Sequence, residues 1–151
     1  MNPIIRKDCE DLYREPGIAW PNLKNTTVLI TGAYGMLPAY MLWMLIYLNE
    51  YQNYHIRIHA LCRNAKRATA VFGTYVNKEY FNLLLTDVTE RFQVEGPLDY
   101  IIHAASTSGS QYFGQDPVGV IMPNVLGTKN TLELAKEKQV KGRSEEHTSE
   151  L

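Results

Sequence analysis

The chain alternates short runs of consecutive apolar residues with longer stretches in which apolar residues recur every three or four positions. "TTVLI" (26–30) is a mainly β-branched run that is apolar from Val28 on, which suits a strand buried on both faces. It is punctuated by "TGAYG" and followed by "MLPAYMLWMLIYL" (36–48), so the order is strand, glycine turn, helix. "HIRIHALC" (55–62) predicts a second strand, "NAKRATAVF" (64–72) a short helix closed by Gly73, "YFNLLL" (80–85) a third strand and "LDYIIHAAS" (98–106) a fourth. A polar, Gly-rich loop then runs to Asp116, which can cap a helix starting at Pro117. There the pattern predicts a buried stripe at Val125, Thr128, Leu132 and Ala135, with Lys129, Glu133, Lys136 and Glu137 facing outward. Pro123 should kink that helix or divide it. Ahead of all this, residues 1–25 hold an amphipathic piece, "IIRKDCEDLY", and a loop, "EPGIAWPNLKN".

Strands alternating with helices predict an α/β fold, a doubly wound parallel sheet with right-handed crossovers. Such sheets bind ligands beyond the carboxyl ends of their strands, where the strand order reverses. Composition narrows the partners. A net charge of −1 offers no basic face for nucleic acid. The most apolar run has thirteen residues, where a membrane-spanning helix needs about 20, so it is expected to be a buried or half-buried helix. Cys9 and Cys62 are isolated, and no secretory leader precedes them, so free thiols and a cytoplasmic location are expected.

The first strand is followed by Thr31-Gly32-Ala33-Tyr34-Gly35-Met36-Leu37-Pro38. Glycine at 32 and 35 lets the backbone turn tightly and approach a ligand, and the helix that follows presents N–H groups and a positive dipole end to a diphosphate. Gly-x-x-Gly-x-x-Gly is met except at its third position, Pro38. No Gly-Lys-Ser/Thr is present, which argues against a P-loop nucleotidase.

"VLITGAYGMLP", "LLLTDVTE", "DYIIHAAS" and "DPVGVIMPNVLGTKNTLELA" occur in this order. Together they resemble the short-chain dehydrogenase/reductase superfamily, in its extended branch of NAD-dependent nucleotide-sugar epimerases and dehydratases. The resemblance spans residues 27–142 and implies an NAD(P)-binding Rossmann fold. It implies that Gly32, Tyr34, Gly35 and Met36 surround the cofactor diphosphate. Asp87 would bond the adenine amino group, with Val88 against the ring; Asp87-x-x-Glu90 also has the spacing of a helix capping box, and the two roles are compatible. Ala104, Ala105 and Ser106 would lie under the ribose and nicotinamide, and Asn124 near the active site. His103 stands where the family often has asparagine, and it suits a core residue better than a catalyst.

At the end of the second strand stand Arg63 and Asn64 instead of a carboxylate. Arginine suits the 2′-phosphate of NADP, whereas the resemblance implies NAD, and NAD is the expectation carried forward with NADP as the alternative. His55 and His59 have no accompanying ligand cluster, and no metal is expected. The implied activity is hydride transfer between a hydroxyl of a nucleotide-diphospho-sugar and bound NAD, followed by epimerisation, dehydration or decarboxylation, in a homodimer. A non-catalytic dinucleotide-binding redox sensor is the alternative. The family's chemistry uses a serine or threonine and a Tyr-x-x-x-Lys pair, and none of the ten tyrosines here has a lysine four places on. Catalytic residues are therefore expected beyond the end of the chain, and this piece alone is expected to be inactive. The final string, "RSEEHTSEL" (143–151), resembles a translated sequencing adapter, one codon per residue. The expected organisation is an extension (1–25), a partial dinucleotide-binding domain truncated after the fourth strand and its helix (26–142) and a non-native tail (143–151). Without that tail, 14 basic and 13 acidic residues remain, so the charge argument is unchanged.

Overall fold

The structure is a computed structural model and describes residues 1–106 and 114–145. Helix α1 (Pro3–Tyr13) leads through a 3-10 turn (Trp20–Leu23) into β1 (Thr27–Thr31), α2 (Met36–Gln52), β2 (Arg57–Cys62), α3 (Ala65–Phe72), β3 (Phe81–Leu85) and β4 (Tyr100–His103). Then come α4 (Pro117–Met122), a π-helical turn (Pro123–Gly127), α5 (Thr128–Lys138) and β5 (Gly142–Glu145). The strands are all parallel, in the order β3-β2-β1-β4-β5. Strand β1 is central and buried at every residue, as its β-branched apolar run requires. Val28 and Ile30 face one core with Ile58, Ala60 and Cys62, under α1, α2 and α3. Leu29, Leu61 and Ile101 face the other, with Val88, Val94, Leu98 and Leu134.

Helix α2 is buried over the seven residues Leu42 to Leu48, all the way around, because both of its sides are covered. Tyr13 of α1 lies 6.2 Å from Tyr47 and 6.3 Å from Tyr54 between ring centres. Trp43 meets Phe72 at 5.4 Å and Tyr75 at 5.5 Å. The N-terminal extension is thus part of the core, with Asn2 capping α1 through Oδ1, which accepts from Ile4 N at 2.9 Å.

Three features go beyond the sequence pattern. Pro123 divides the helix, as expected, and does so through a π turn: lacking an N–H, and with its ring excluding the carbonyl four residues back, it opens the helix by one residue. The buried stripe runs through Val120, Gly127, Thr131 and Leu134, while Val125 and Leu132 are exposed. Two small residues, Gly127 and Thr131, join the apolar Val120 and Leu134 in seating this helix on the sheet. Gly127 lies against the His103 ring, and Thr131 hides its hydroxyl by donating to Gly127 O (2.9 Å) and Thr128 O (3.0 Å). Finally, the sheet has five strands where four were expected. Residues 142–145 pair with β4 in the register Tyr100–Gly142, Ile101–Arg143, Ile102–Ser144. An edge strand recruits main-chain groups without reading side chains, so a polar string completes the ladder. Lys141 sets the register, its N–H donating to Asp99 O at 2.8 Å and its ammonium to Asp99 Oδ1 at 2.9 Å.

Candidate cofactor site

Strand order reverses between β1 and β4, and a cleft opens there beyond the strand ends. Gly32 forms its wall at φ +70°, a left-handed conformation, and a Cβ built on it would lie 2.7 Å from Ala104 O. The backbones of the two loops therefore touch directly. Gly35 N–H donates to Gly32 O at 2.8 Å and closes the turn, and Gly35 then becomes the residue before α2. Pro38, at the third glycine position, packs its ring on Gly35, where an added Cβ would meet Pro38 Cγ at 3.0 Å. A proline in the first helical turn has no intrahelical bond to lose. Ala39 N–H bonds Gly35 O at 2.9 Å, so the N–H groups of Met36 and Leu37 are those the helix end presents.

At the rim, Asp87 follows β3. Its Oδ1 accepts from Thr89 N (2.9 Å) and Thr89 Oγ1 (2.8 Å), and its Oδ2 pairs with Arg63 at 3.4 Å. Partial burial pushes this carboxyl up, but the two Thr89 bonds and the Arg63 charge outweigh it and hold the pKa below the ordinary value. The capping-box spacing produces a turn over residues 87–90, closed by Thr89 and by Glu90 N–H on Asp87 O, with no helix following it. The Arg67 guanidinium stands 5.9 Å above the Tyr34 ring. Cys62 lines the cleft as a buried thiol, and desolvation raises its pKa, so it stays protonated at neutral pH.

The floor hangs on one hydroxyl. Thr31 Oγ1 accepts from Ala104 N and Ala105 N, both at 3.1 Å, which leaves its proton for His103 Nδ1 at 2.8 Å. That arrangement makes Nδ1 the acceptor and puts the ring proton of His103 on Nε2. Asn130 directs Nδ2 at the carbonyls of Val88 (2.9 Å), Thr89 (3.0 Å) and Glu90 (3.0 Å), fixing the turn that carries Asp87 onto α5.

Of the residues singled out in the sequence, Gly32, Tyr34, Gly35, Arg63, Asp87, Val88, Ala104, Ala105 and Ser106 line this one cleft. Met36 and Asn124 do not: Met36 points to solvent, and Asn124 donates from Nδ2 to Val120 O at 3.0 Å while Pro123 reaches the cleft instead. Asn124 Oδ1 is buried and accepts no hydrogen bond from the described residues. Thr31, Arg67 and Asn130 were not singled out. Thr31 could have been found as the hydroxyl that ends β1, and Asn130 as the second asparagine of "NVLGTKN". His59 is buried and bonds Asn82 Nδ2 through Nδ1 at 3.1 Å. Among the described residues no cluster of three His, Cys, Asp or Glu side chains could hold a metal, and no helix is long and apolar enough to cross a membrane.

UDP-glucuronic acid decarboxylase 6 of Arabidopsis thaliana is 29% identical, over 74% of this chain and 31% of its own length. Two solved structures share the fold. The Bordetella bronchiseptica enzyme WbmF, solved with NADH, has a TM-score of 0.66 at 20% identity, over 83% of this chain and 36% of its own. The yeast methylglyoxal/isovaleraldehyde reductase Gre2, solved with NADPH, has a TM-score of 0.52 at 18% identity, over 75% and 34%. The chain thus spans about a third of the length of these relatives. The sequence profile of the NAD dependent epimerase/dehydratase family matches residues 28–145, and the chain belongs to that family.

Proposed function

We propose that this chain is the dinucleotide-binding part of a nucleotide-sugar epimerase or dehydratase, and that the cleft between β1 and β4 holds a nicotinamide dinucleotide. The carrying observation is the Gly32–Gly35 turn, which closes tightly against the β4 loop where a Cβ on Gly32 would strike Ala104, and which leads straight into α2, whose Met36 and Leu37 N–H groups have no partner within the helix and are free for a diphosphate. Tyr34, Gly35 and those N–H groups would hold the diphosphate. Asp87 and Val88 would receive the adenine, and Ala104, Ala105 and Ser106 would leave room for the ribose and nicotinamide. When bound, the cofactor supplies a reversible hydride acceptor. The chain's own contribution is to bind and orient it: Thr31 ties the β4 loop to β1, so the floor and the cradle hold one geometry.

The UDP-glucuronic acid decarboxylase relative supports a nucleotide-diphospho-sugar substrate for the whole enzyme. Epimerisation, dehydration and decarboxylation all start from oxidation of a sugar hydroxyl. The base for that step belongs to a Tyr-x-x-x-Lys segment outside this chain, and the piece by itself binds without turning over. Val118, Ile121, Met122, Val125 and Leu132 form an exposed apolar face along α4, the π turn and α5, which suits a homodimer contact. Buried, unpaired Cys9 and Cys62 suit a cytoplasmic location.

Two measurements test the reading. Isothermal titration of the 151-residue chain with ADP-ribose is expected to show binding at one site, abolished by Gly35→Val. The uninterrupted gene, read about 60 codons past Gly142, is expected to encode an apolar strand and then Tyr-x-x-x-Lys. A natural stop after residue 151 would favour the redox sensor over the enzyme.

A further inference from the structure

We infer that the rim at the end of β2 is a 2′-phosphate site, so that this protein prefers NADP to NAD; the inference rests on the cofactor reading above. A site that selects NAD presents a carboxylate after the second strand to take the ribose 2′-hydroxyl. Here β2 runs out into Cys62-Arg63-Asn64-Ala65-Lys66-Arg67, and no carboxylate follows it. Asp87 is the one carboxylate among the residues lining the cleft, and it sits after β3 with its oxygens already engaged by Thr89 and Arg63.

One guanidinium lines this rim and a second stands over a ring that lines the same cleft. Arg63 lines the cleft and is held at its edge by the 3.4 Å pair with Asp87, an exposed contact that a dianionic phosphate can displace. Arg67 enters from α3. Its backbone is fixed by Asn64, whose Oδ1 accepts from Arg67 N at 3.0 Å, and its guanidinium lies over Tyr34, itself a cleft residue. The exposed Arg67 side chain is thereby placed on the Tyr34 side of α3, beside the cradle. Paired arginines with planar donor faces match a phosphate monoester and give little to a ribose hydroxyl. This reverses the NAD expectation drawn from family resemblance, because the resemblance is carried by the cradle and the helix motif and not by the end of β2.

Titrating the 151-residue chain separately with NADP⁺ and NAD⁺, with circular dichroism confirming the fold, tests the site. NADP⁺ should bind at least about tenfold more tightly, and Arg63→Gln and Arg67→Gln should each bring the ratio toward one. Both positions are exposed, so neither substitution should disturb folding. Equal affinities, tighter NAD⁺, or variants that leave the ratio intact would overturn the 2′-phosphate site while leaving the dinucleotide cradle standing. A folded chain that binds neither cofactor would overturn both.

Discussion

Replacing Gly32 by alanine isolates the contact on which the cleft depends. Two costs add at this position. The backbone sits at φ +70°, which an L residue adopts at a cost of about 1–2 kcal/mol. The new methyl would also lie 2.7 Å from Ala104 O, 2.9 Å from Ala104 C and 2.9 Å from Ala105 Cα, all backbone atoms that cannot rotate away. Forcing the loops apart costs about 1–3 kcal/mol more, by analogy with overpacked cores. The sum, about 2–5 kcal/mol, is a large share of the roughly 5–15 kcal/mol that holds a domain of this kind folded. Gly96 provides the control. Its φ is +75°, but a Cβ there would meet only the tip of Arg57, at 3.6 Å. Gly96→Ala should therefore carry the conformational cost alone. Urea unfolding followed by tryptophan fluorescence should place the Gly32→Ala midpoint below that of Gly96→Ala by roughly 1 M, given a typical slope of about 1–3 kcal/mol per molar. Coinciding midpoints would show that the β1 and β4 loops do not touch and would refute this geometry of the cradle.

Two further outcomes are expected. Asp99 ties three strands together at their starts, since its Oδ2 accepts from Thr27 N at 2.8 Å, its Oδ1 pairs with Lys141, and its main-chain carbonyl receives Lys141 N. Partial burial pushes its carboxyl up, yet the Lys141 ammonium and the Thr27 N–H hold its pKa below the ordinary carboxylate value. A depressed pKa contributes stability that is fully present above the unfolded value, about 3.9, and is lost as pH falls through the folded one. The denaturation midpoint should therefore drop more steeply below pH 4 in the parent than in Asp99→Asn, and parallel pH profiles would rule out this clamp. On the α4–α5 face, light scattering should find the chain self-associating at micromolar concentration and Leu132→Glu shifting it toward monomer. Association that Leu132→Glu leaves unchanged would place the contact elsewhere.

The order of strands and helices, the parallel sheet and the glycine turn were legible in the chain itself. The largely β-branched run at 26–30 suits a strand buried on both faces, and glycine at 32 and 35 marks where backbone must come close. Local chemistry of this kind depends on the residues within a few positions, and it survives without knowledge of partners. Tertiary structure decided the rest, because it concerned which surfaces meet. Thr31 looked like one more β-branched strand residue until the fold brought Ala104, Ala105 and His103 around its hydroxyl, over seventy positions away. Val125 and Leu132 read as core by hydrophobicity, yet the approach of α5 to β4 buries Gly127 and Thr131 instead, and at Gly127 the His103 ring and Val88 leave no room for a side chain. Asn124 and Met36 followed from resemblance; in the fold Asn124 bonds Val120 O within its own helix and the Met36 side chain is exposed, facts that depend on the π turn and on how α2 begins. Residues 143–145 show the same division from the other side: their polar side chains predict no strand, but main-chain groups at the edge of β4 pair with whatever extended backbone reaches them.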